Sequence, residues 1–261
     1  MSSNIKTEKA KGDSWWDIAV VVVQALAIAF FIRVFFYQPF NIPSGSMKET
    51  LLVGDYLFVS KLSYGYSKYS MSFWFGEELF PFEGRVFSAE PKRGDVVVFK
   101  LPRDNTTDYI KRVIGLPGDE IQMRDGHLFI NGTAVPKVPN GSFKTFDEDR
   151  GGVREIPSFT ETLPNGVAYT VLDANPRGSL DNTEVYKVPP GHYFMMGDNR
   201  DNSTDSRVLF QVGYVPFENL VGRAEVIFFS AATDEPGAFR WYTPWTWPFD
   251  IRWSRFFKLV R

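Results

Sequence analysis

The polar turn around Ser46 is the first place in the chain where side chains are available for chemistry. Ser46 follows Gly45 and a second hydroxyl residue, Ser44, a few residues after the longest apolar run in the sequence. A serine hydroxyl becomes an effective nucleophile when a neighbouring base removes its proton. Serine after glycine near a proline is also an ordinary turn residue, so the turn by itself leaves both interpretations open.

Lys111 is the candidate base. It lies in a strand-like segment whose alternation places Tyr109, Lys111 and Val113 on one face. Burial among apolar side chains disfavours the charged ammonium and lowers the lysine pKa, and a neutral amine can accept a serine proton. The alternative is a solvated lysine that blocks pairing at a sheet edge. Spacing does not choose between the two.

Other catalytic or metal chemistry has weaker support. The chain has no cysteine and two isolated histidines, His127 and His192, so thiolate chemistry and cysteine-ligated zinc are excluded and a Ser-His-Asp triad lacks a placed base. Residues 198–205 resemble a calcium-binding loop in composition. If Asp201 is the first ligand of such a loop, however, Ser206 occupies the position that needs glycine and Val212 the position that needs a bidentate glutamate. We therefore predict neither a metal nor a cofactor.

The first strong structural element is an apolar run that predicts a membrane anchor. Residues 15–37 are long enough to cross a hydrocarbon core of about 30 Å, with aromatic residues at both ends. A cleavable signal is less consistent with a run that ends in Arg33, bulky rings and Pro39, and a buried core helix would be less uniformly apolar. Lysines within residues 1–14 favour a short cytoplasmic tail, which places the remainder of the chain outside the cytoplasm.

The remainder of the chain predicts a mainly β protein, an antiparallel, barrel-like catalytic domain that carries the serine and lysine. Short apolar runs alternate with Gly, Pro and Asn turns over residues 38–135 and 186–261, and no 12-residue amphipathic helix is evident after the anchor. Residues 136–185 are polar and Pro-rich and predict an inserted, loop-rich cap. Basic residues number 29 and acidic residues 31, so the chain offers no basic field for nucleic acid. The aromatic segment 64–90 and the Trp-rich tail contact lipid or complete the fold.

Five stretches together resemble the bacterial type I signal peptidases, membrane-bound Ser/Lys proteases that remove signal peptides from exported proteins. The stretches are residues 43–47, 50–55, 93–99, 109–119 and 197–207. The resemblance implies that Ser46 is the nucleophile, Lys111 the general base, Ser44 an oxyanion-hole donor and Ser203 the group that orients the lysine. It further implies structural roles for Asp205 and Arg207, and shallow pockets for small substrate residues lined by Phe40, Ile42, Met47, Leu51, Leu57, Val98, Tyr109 and Ile110.

The resemblance also implies the setting and partners of the protein. The expected substrates are signal peptides of exported preproteins, and the expected location is the bacterial inner membrane, with a single span and the catalytic domain on its extracytoplasmic side. Glu49 departs from the family pattern, which usually has proline there. Two alternatives remain open: a related Ser/Lys processing protease, of the conjugation-specific or self-cleaving repressor type, and a non-catalytic membrane-tethered β domain that binds exported chains.

Overall fold

The N-terminal helix α1, Trp15–Phe35, is apolar around its whole circumference and most of its side chains are exposed. The computed structural model describes residues 15–70, 84–147, 152–175, 177–233, 243 and 245–261. Among these residues α1 is the one helix long and apolar enough to cross a membrane, consistent with the predicted anchor. The predicted tail 1–14, residues 71–83 of the aromatic segment and Trp241 lie outside the described residues.

The anchor ends slightly earlier than predicted, because the chain enters the sheet at once. Tyr37 begins strand β1 instead of ending the helix. Lys61 Nζ donates a hydrogen bond to the carbonyl oxygen of Val34, and Tyr66 Oη donates one to that of Phe35. These bonds satisfy carbonyl groups that the last turn of a helix leaves free. The helix is therefore joined to the β domain without a linker.

The structure confirms the predicted mainly β, antiparallel fold. Its largest sheet is a curled half-barrel of eight strands in the order β1-β2-β14-β3-β4-β12-β13, with β15 paired to β14. Strands rich in β-branched residues, such as Val96–Lys100, are buried on both faces. The strands of this sheet are β1 Tyr37–Asn41, β2 Asp55–Ser60, β3 Val96–Lys100, β4 Asp108–Gly115, β12 His192–Met196, β13 Val215–Pro216, β14 Leu220–Ser230 and β15 Lys258–Leu259.

Two smaller antiparallel sheets pack beside the large one. A four-stranded sheet has the order β11-β5-β6-β7 and a three-stranded sheet the order β10-β9-β8. They share one apolar core with β12, in which Ile121, Val171 and Phe194 are buried. The strands are β5 Glu120–Arg124, β6 His127–Ile130, β7 Thr133–Ala134, β8 Lys137–Asp147, β9 Gly152–Thr162, β10 Ala168–Leu172 and β11 Tyr186–Lys187.

The inserted segment is more regular than predicted, which corrects the expectation of a loop-rich cap. It contains β8 and β9, each of 11 residues. Its prolines fall where strands tolerate them. Pro139 adjoins a bulge in the β8–β9 pairing, and Pro157 lies one residue beyond the stretch of β9 that pairs with β10. The division of the chain at residues 136 and 185 stays a prediction.

The C-terminal segment folds back onto the large sheet. After the short helix α2, Trp247–Asp250, the Arg255 guanidinium binds the buried carboxylate of Asp55 and donates to the carbonyl oxygen of Thr50 at 3.0 Å. Thr50 follows the turn that carries Ser46. The basic tail therefore completes the fold at the base of the candidate site, whereas Trp253 is 60% exposed.

Candidate active site

Ser46 lies at the centre of a 3-10 turn, Gly45–Met47, that follows the extended end of β1. The turn is fixed by the loop after β12. Asn199 N donates to the Ser46 carbonyl oxygen at 3.1 Å, and Asn199 Nδ2 donates to that of Gly45 at 2.9 Å. The approach is so close that a Cβ at Gly197 would lie 2.6 Å from the Ser46 carbonyl oxygen. A glycine is therefore required at position 197.

Lys111 reaches Ser46 from the neighbouring strand β4. Its Nζ donates to Ser46 Oγ at 2.7 Å and to the Ile110 carbonyl oxygen at 2.9 Å. The amine also lies 5.3 Å from the centroid of the Tyr109 ring. Only 3% of Lys111 is exposed, so the solvated edge lysine considered above is not what the structure contains.

The electrostatic surroundings favour a neutral amine at Lys111. Burial is the largest cause and lowers the pKa of Lys111 to about 8, against the opposing effect of the Asp205 and Asp198 carboxylates. A group with this pKa is partly deprotonated at neutral pH. Lys111 can therefore accept a proton from the hydroxyl to which it is hydrogen-bonded.

The two other predicted hydroxyls lie near this pair but differ in their contacts. Ser44 Oγ is 3.5 Å from Ser46 Oγ. Ser203 Oγ is buried, and within the described part of the chain no hydrogen bond joins it to Lys111. The lysine-orienting contact expected of Ser203 is therefore not formed here, and its role stays a prediction.

Asp205 and Arg207 form a buried ion pair that shapes the Ser203 loop. Arg207 donates to both Asp205 oxygens at 2.9 Å, and Asp205 Oδ2 also accepts from Gly197 N at 3.0 Å. Arg207 Nη2 further donates to the Arg200 carbonyl oxygen at 2.7 Å. These charge-assisted bonds are consistent with the expected structural role.

A cavity of about 380 Å³ opens directly onto Ser46 and Lys111. Its walls include five of the eight predicted pocket residues, namely Phe40, Ile42, Val98, Tyr109 and Ile110. The space is bounded by branched and aromatic side chains. A largely apolar cavity of this size can accept side chains of a bound peptide.

The family model described as "Signal peptidase, peptidase S26" matches residues 15–229 of this chain. The chain belongs to the signal peptidase family. A Signal peptidase I of Rickettsia akari is 45% identical over 231 residues, which cover 86% of this chain and 82% of the relative. One of Rickettsia prowazekii is 44% identical over 233 residues, 87% of this chain and 83% of the relative.

A crystal structure of a signal peptidase I from Enterococcus faecalis is also similar. It is 26% identical, and the match covers 52% of this chain and 97% of that chain with a TM-score of 0.30. Family membership makes this chain a serine peptidase that acts on signal peptides, which confirms the resemblance and the enzyme class predicted from the motifs.

Three predicted wall residues of this peptidase lie elsewhere, which is a correction. Met47, Leu51 and Leu57 are fully buried in the apolar core next to the cavity. Leu51 N donates to the Met47 carbonyl oxygen at 2.8 Å, so the turn directs both side chains inward. Leu57 faces the core because residues of β2 alternate between the two faces of the sheet.

The sequence reasoning also missed several residues around Ser46 and Lys111. Five polar or small residues complete the cavity wall, namely Asn41, Pro43, Asp108, Asn202 and Thr204. The sequence did offer one indication of them, because each is next to a residue already assigned to the site. A fully buried pair, Arg112 and Asp198, lies one residue beyond Lys111, with Arg112 Nη2 2.7 Å from Asp198 Oδ2.

Glu49 occupies a conformation that the usual proline cannot adopt. Its φ is +85°, in the left-handed region, and it follows Lys48 at φ −52° and ψ 146°. Proline is fixed near −65°. The turn after Ser46 in this chain is therefore one that proline at position 49 could not form.

Two replacements of Glu49, by glycine and by proline, are expected to change the free energy of unfolding in opposite directions. Glu49→Gly should stabilise the protein by about 1 kcal/mol, because glycine adopts positive φ without steric cost. Glu49→Pro should destabilise it by more than this amount, because proline cannot reach the observed φ. Urea unfolding of both variants measures the difference. Equal stability of the two variants would contradict the turn geometry.

Proposed function

We propose that Ser46 attacks the carbonyl carbon at the signal-peptide cleavage site while neutral Lys111 accepts its proton. The observation that carries this proposal is the 2.7 Å bond from Lys111 Nζ to Ser46 Oγ in a buried, desolvated site. The lysine then returns the proton to the leaving amine. It subsequently activates the water that hydrolyses the acyl-enzyme ester on Ser46.

Ser44 and the backbone N–H of Ser46 are proposed to stabilise the oxyanion. The Ser44 hydroxyl is exposed at the mouth of the cavity, 3.5 Å from the attacking oxygen. A donor placed there meets charge that develops only as the tetrahedral intermediate forms. Ser44 is therefore proposed to stabilise the transition state.

The substrate is proposed to bind as an extended strand across the cavity. In the described pairings, β3 pairs with residues 108–111 of β4 along one edge, and the pairing of β12 with β4 begins only at Arg112. The cavity lies along the other edge of residues 108–111. A peptide can add its backbone along this free side, between β4 and the extended segment around Ile42. Alternate side chains then enter the apolar space, which suits small residues at the first and third positions before the cleavage site.

The protein is proposed to act at the extracytoplasmic face of the bacterial inner membrane. The apolar helix α1 is followed immediately by the β domain that holds Ser46. Lysines in residues 1–14 favour a cytoplasmic N-terminus. This arrangement keeps the cavity near the lipid surface, where signal peptides of exported preproteins emerge.

The pH dependence of cleavage tests this mechanism. Because Lys111 must be neutral and its folded-state pKa is about 8, kcat/KM should rise about tenfold per pH unit up to pH 8 and then level off. The measurement is cleavage of a preprotein whose signal peptide ends in small residues, from pH 5 to 10 in detergent.

The matched control is Ser46→Ala, which removes the nucleophile and keeps the cavity. It should be inactive at every pH, which shows that no contaminating protease contributes. A wild-type profile that stays flat between pH 5 and 8 would exclude Lys111 as the base. Processing by Ser46→Ala at the wild-type rate would end the assignment of the nucleophile.

A further inference from the structure

Three aspartates with no part in the proposed reaction come together at the Ser203 loop. Asp173 directly follows β10, Asp181 lies in the loop before β11, and Asp201 belongs to the 3-10 turn that precedes Ser203. One carboxylate oxygen of each aspartate lies within 4.8 Å of the other two. Asp173 and Asp181 are buried and Asp201 is exposed, so the cluster is accessible from solvent on one side.

Asp173 provides an independent indication that a ligand belongs here. Only 7% of the residue is exposed, and its Oδ1 has no hydrogen-bond partner within the described chain. The other oxygen, Oδ2, accepts a hydrogen bond from Lys137 Nζ. A buried carboxylate oxygen without a partner is costly and rare in folded proteins. A cation bound among the three carboxylates would satisfy it.

Hydrogen bonds hold the other two carboxylates in place by one oxygen each. Asp181 Oδ2 accepts from Gly178 N at 2.6 Å. Asp201 Oδ2 accepts from Ala174 N at 2.6 Å and Asn175 N at 2.9 Å. In all three aspartates these bonds go to Oδ2, so each carboxylate is pre-positioned and keeps lone pairs free to bind an ion. Ligands fixed in this way bind an ion without first having to be ordered.

The charges around the cluster leave it negative. Among the described residues, the ion pair of the three carboxylates is that of Asp173 with the Lys137 ammonium, and the nearby Arg207 is already paired with Asp205. Burial raises the pKa of Asp181, and the Asp173 and Asp201 carboxylates raise it further. This mutual repulsion is what a bound divalent cation would relieve.

The spacing is compatible with the coordination distances of calcium. Oxygens that bind Ca²⁺ at about 2.3–2.6 Å lie at most about 5 Å apart, which accommodates the observed spread. Mg²⁺ holds its ligands at about 2.0–2.1 Å in a strict octahedron, so it would draw the carboxylates closer together. The two types of ion are therefore distinguishable by affinity.

We propose that Asp173, Asp181 and Asp201 form a Ca²⁺ site that joins the inserted three-stranded sheet to the Ser203 loop. Asp201 is next to Asn202, which lines the cavity, and two residues before Ser203. The ion fixes the turn from which these side chains extend. Its binding stabilises the fold and does not depend on whether Ser46 performs catalysis.

Calcium titration of the full-length protein in detergent micelles tests the site. The protein is treated with a chelator, dialysed free of it, and titrated with CaCl₂ by calorimetry and by thermal unfolding. We expect one Ca²⁺ per chain and a rise in Tm of about 5 °C or more at a hundred-fold excess over Kd. Absence of binding heat and of a Tm shift would overturn the proposal, and an equal response to MgCl₂ would overturn the choice of calcium.

Matched variants locate the bound ion. Asp181→Asn should weaken Ca²⁺ binding by tenfold or more, and without calcium it should be at least as stable as wild type because one repelling charge is gone. Asp201→Asn, at the exposed position, gives the same test with less risk to folding. Asp125→Asn removes an exposed charge from a neighbouring turn and should bind calcium like wild type. Wild-type affinity in both Asp181→Asn and Asp201→Asn would place the ion elsewhere and overturn the proposal.

Discussion

Lys111→Met is expected to cleave signal peptides about 10⁴-fold more slowly than wild type, and to be more stable at neutral pH. Catalysis fails because Ser46 Oγ loses the amine that lies 2.7 Å away. Removal of a catalytic base together with its proton-return step costs on the order of 10⁴-fold or more. Methionine has a similar length and fills the same apolar channel, so the cavity keeps its shape.

The stability gain follows from the charge that wild type must bury. The pKa of Lys111 falls from 10.5 to about 8 on folding, so below pH 8 the protonated amine costs the folded state about 3 kcal/mol. This cost decreases above pH 8 and disappears once the pH exceeds 10.5, the pKa of Lys111 in the unfolded chain. The variant loses the bond to the Ile110 carbonyl oxygen, which offsets about 1 kcal/mol. A net gain of about 2 kcal/mol is therefore expected at pH 7, and a net loss of about 1 kcal/mol at pH 11, where only the lost hydrogen bond counts.

Urea unfolding at the two pH values, together with preprotein cleavage, measures both effects. Lys187→Met is the control, because that side chain is 77% exposed and should change neither quantity. A Lys111→Met variant that keeps a tenth of the wild-type rate would exclude the lysine as the base. One whose stability difference from wild type does not change with pH would contradict the burial of its charge.

The burial of Lys111 was only partly predictable from the sequence. Strand alternation places Tyr109, Lys111 and Val113 on one face but does not decide between a buried amine and a solvated edge lysine, and the structure contains the buried one. The contact of Lys111 with Ser46 depends on a pairing 65 residues apart, which came from the family resemblance and not from periodicity. Local sequence predicts which face a side chain occupies but not what meets it there.

The wall of the cavity was harder to predict for the same reason. Met47 and Leu51 lie near the nucleophile in sequence, yet the 3-10 turn points them into the core. Asn202 and Thr204 enter the cavity from a loop more than 150 residues after Ser46, and their one signal in the sequence was that both adjoin Ser203. The aspartate cluster is similar, since positions 173, 181 and 201 match no metal-binding spacing.

The prolines of the inserted segment led to the prediction of loops where the structure has strands. Proline disrupts a strand where its missing N–H is needed, and the sequence does not show which strand positions lack a partner. At Pro139 the bulge, and at Pro157 the end of the β10 pairing, remove that requirement. The strands therefore continue through both residues.

Asp198→Asn is expected to destabilise the protein by about 3–5 kcal/mol, although the substitution is nearly isosteric. Arg112 is fully buried, and its Nε and Nη2 donate to the two Asp198 oxygens at 2.9 and 2.7 Å. Thr50 Oγ1 donates to Asp198 Oδ2 at 2.6 Å, which connects the pair to the segment after the nucleophile. Neutralising the carboxylate leaves a buried guanidinium without its counter-charge.

The double variant Arg112→Met/Asp198→Asn distinguishes loss of the pair from exposure of the lone charge. It should recover most of the lost stability, because a buried ion pair contributes little net free energy once both charges are gone. Glu155→Gln in the exposed pair with Lys144 is the control and should leave the urea midpoint unchanged. If the double variant is no more stable than Asp198→Asn, the loss comes from packing and not from charge.

The same substitution should also shift the pH profile of cleavage. The Asp198 carboxylate partly offsets the effect of burial on Lys111, so removing its charge lowers the pKa of Lys111 further. The acid limb of kcat/KM should therefore move below pH 8 in the fraction of Asp198→Asn that remains folded. A loss of stability alone lowers the rate equally at every pH at which the variant is equally folded. Movement of the limb thus separates the electrostatic effect of Asp198 on the base from its contribution to the fold, and an unmoved limb would show that Asp198 acts on stability only.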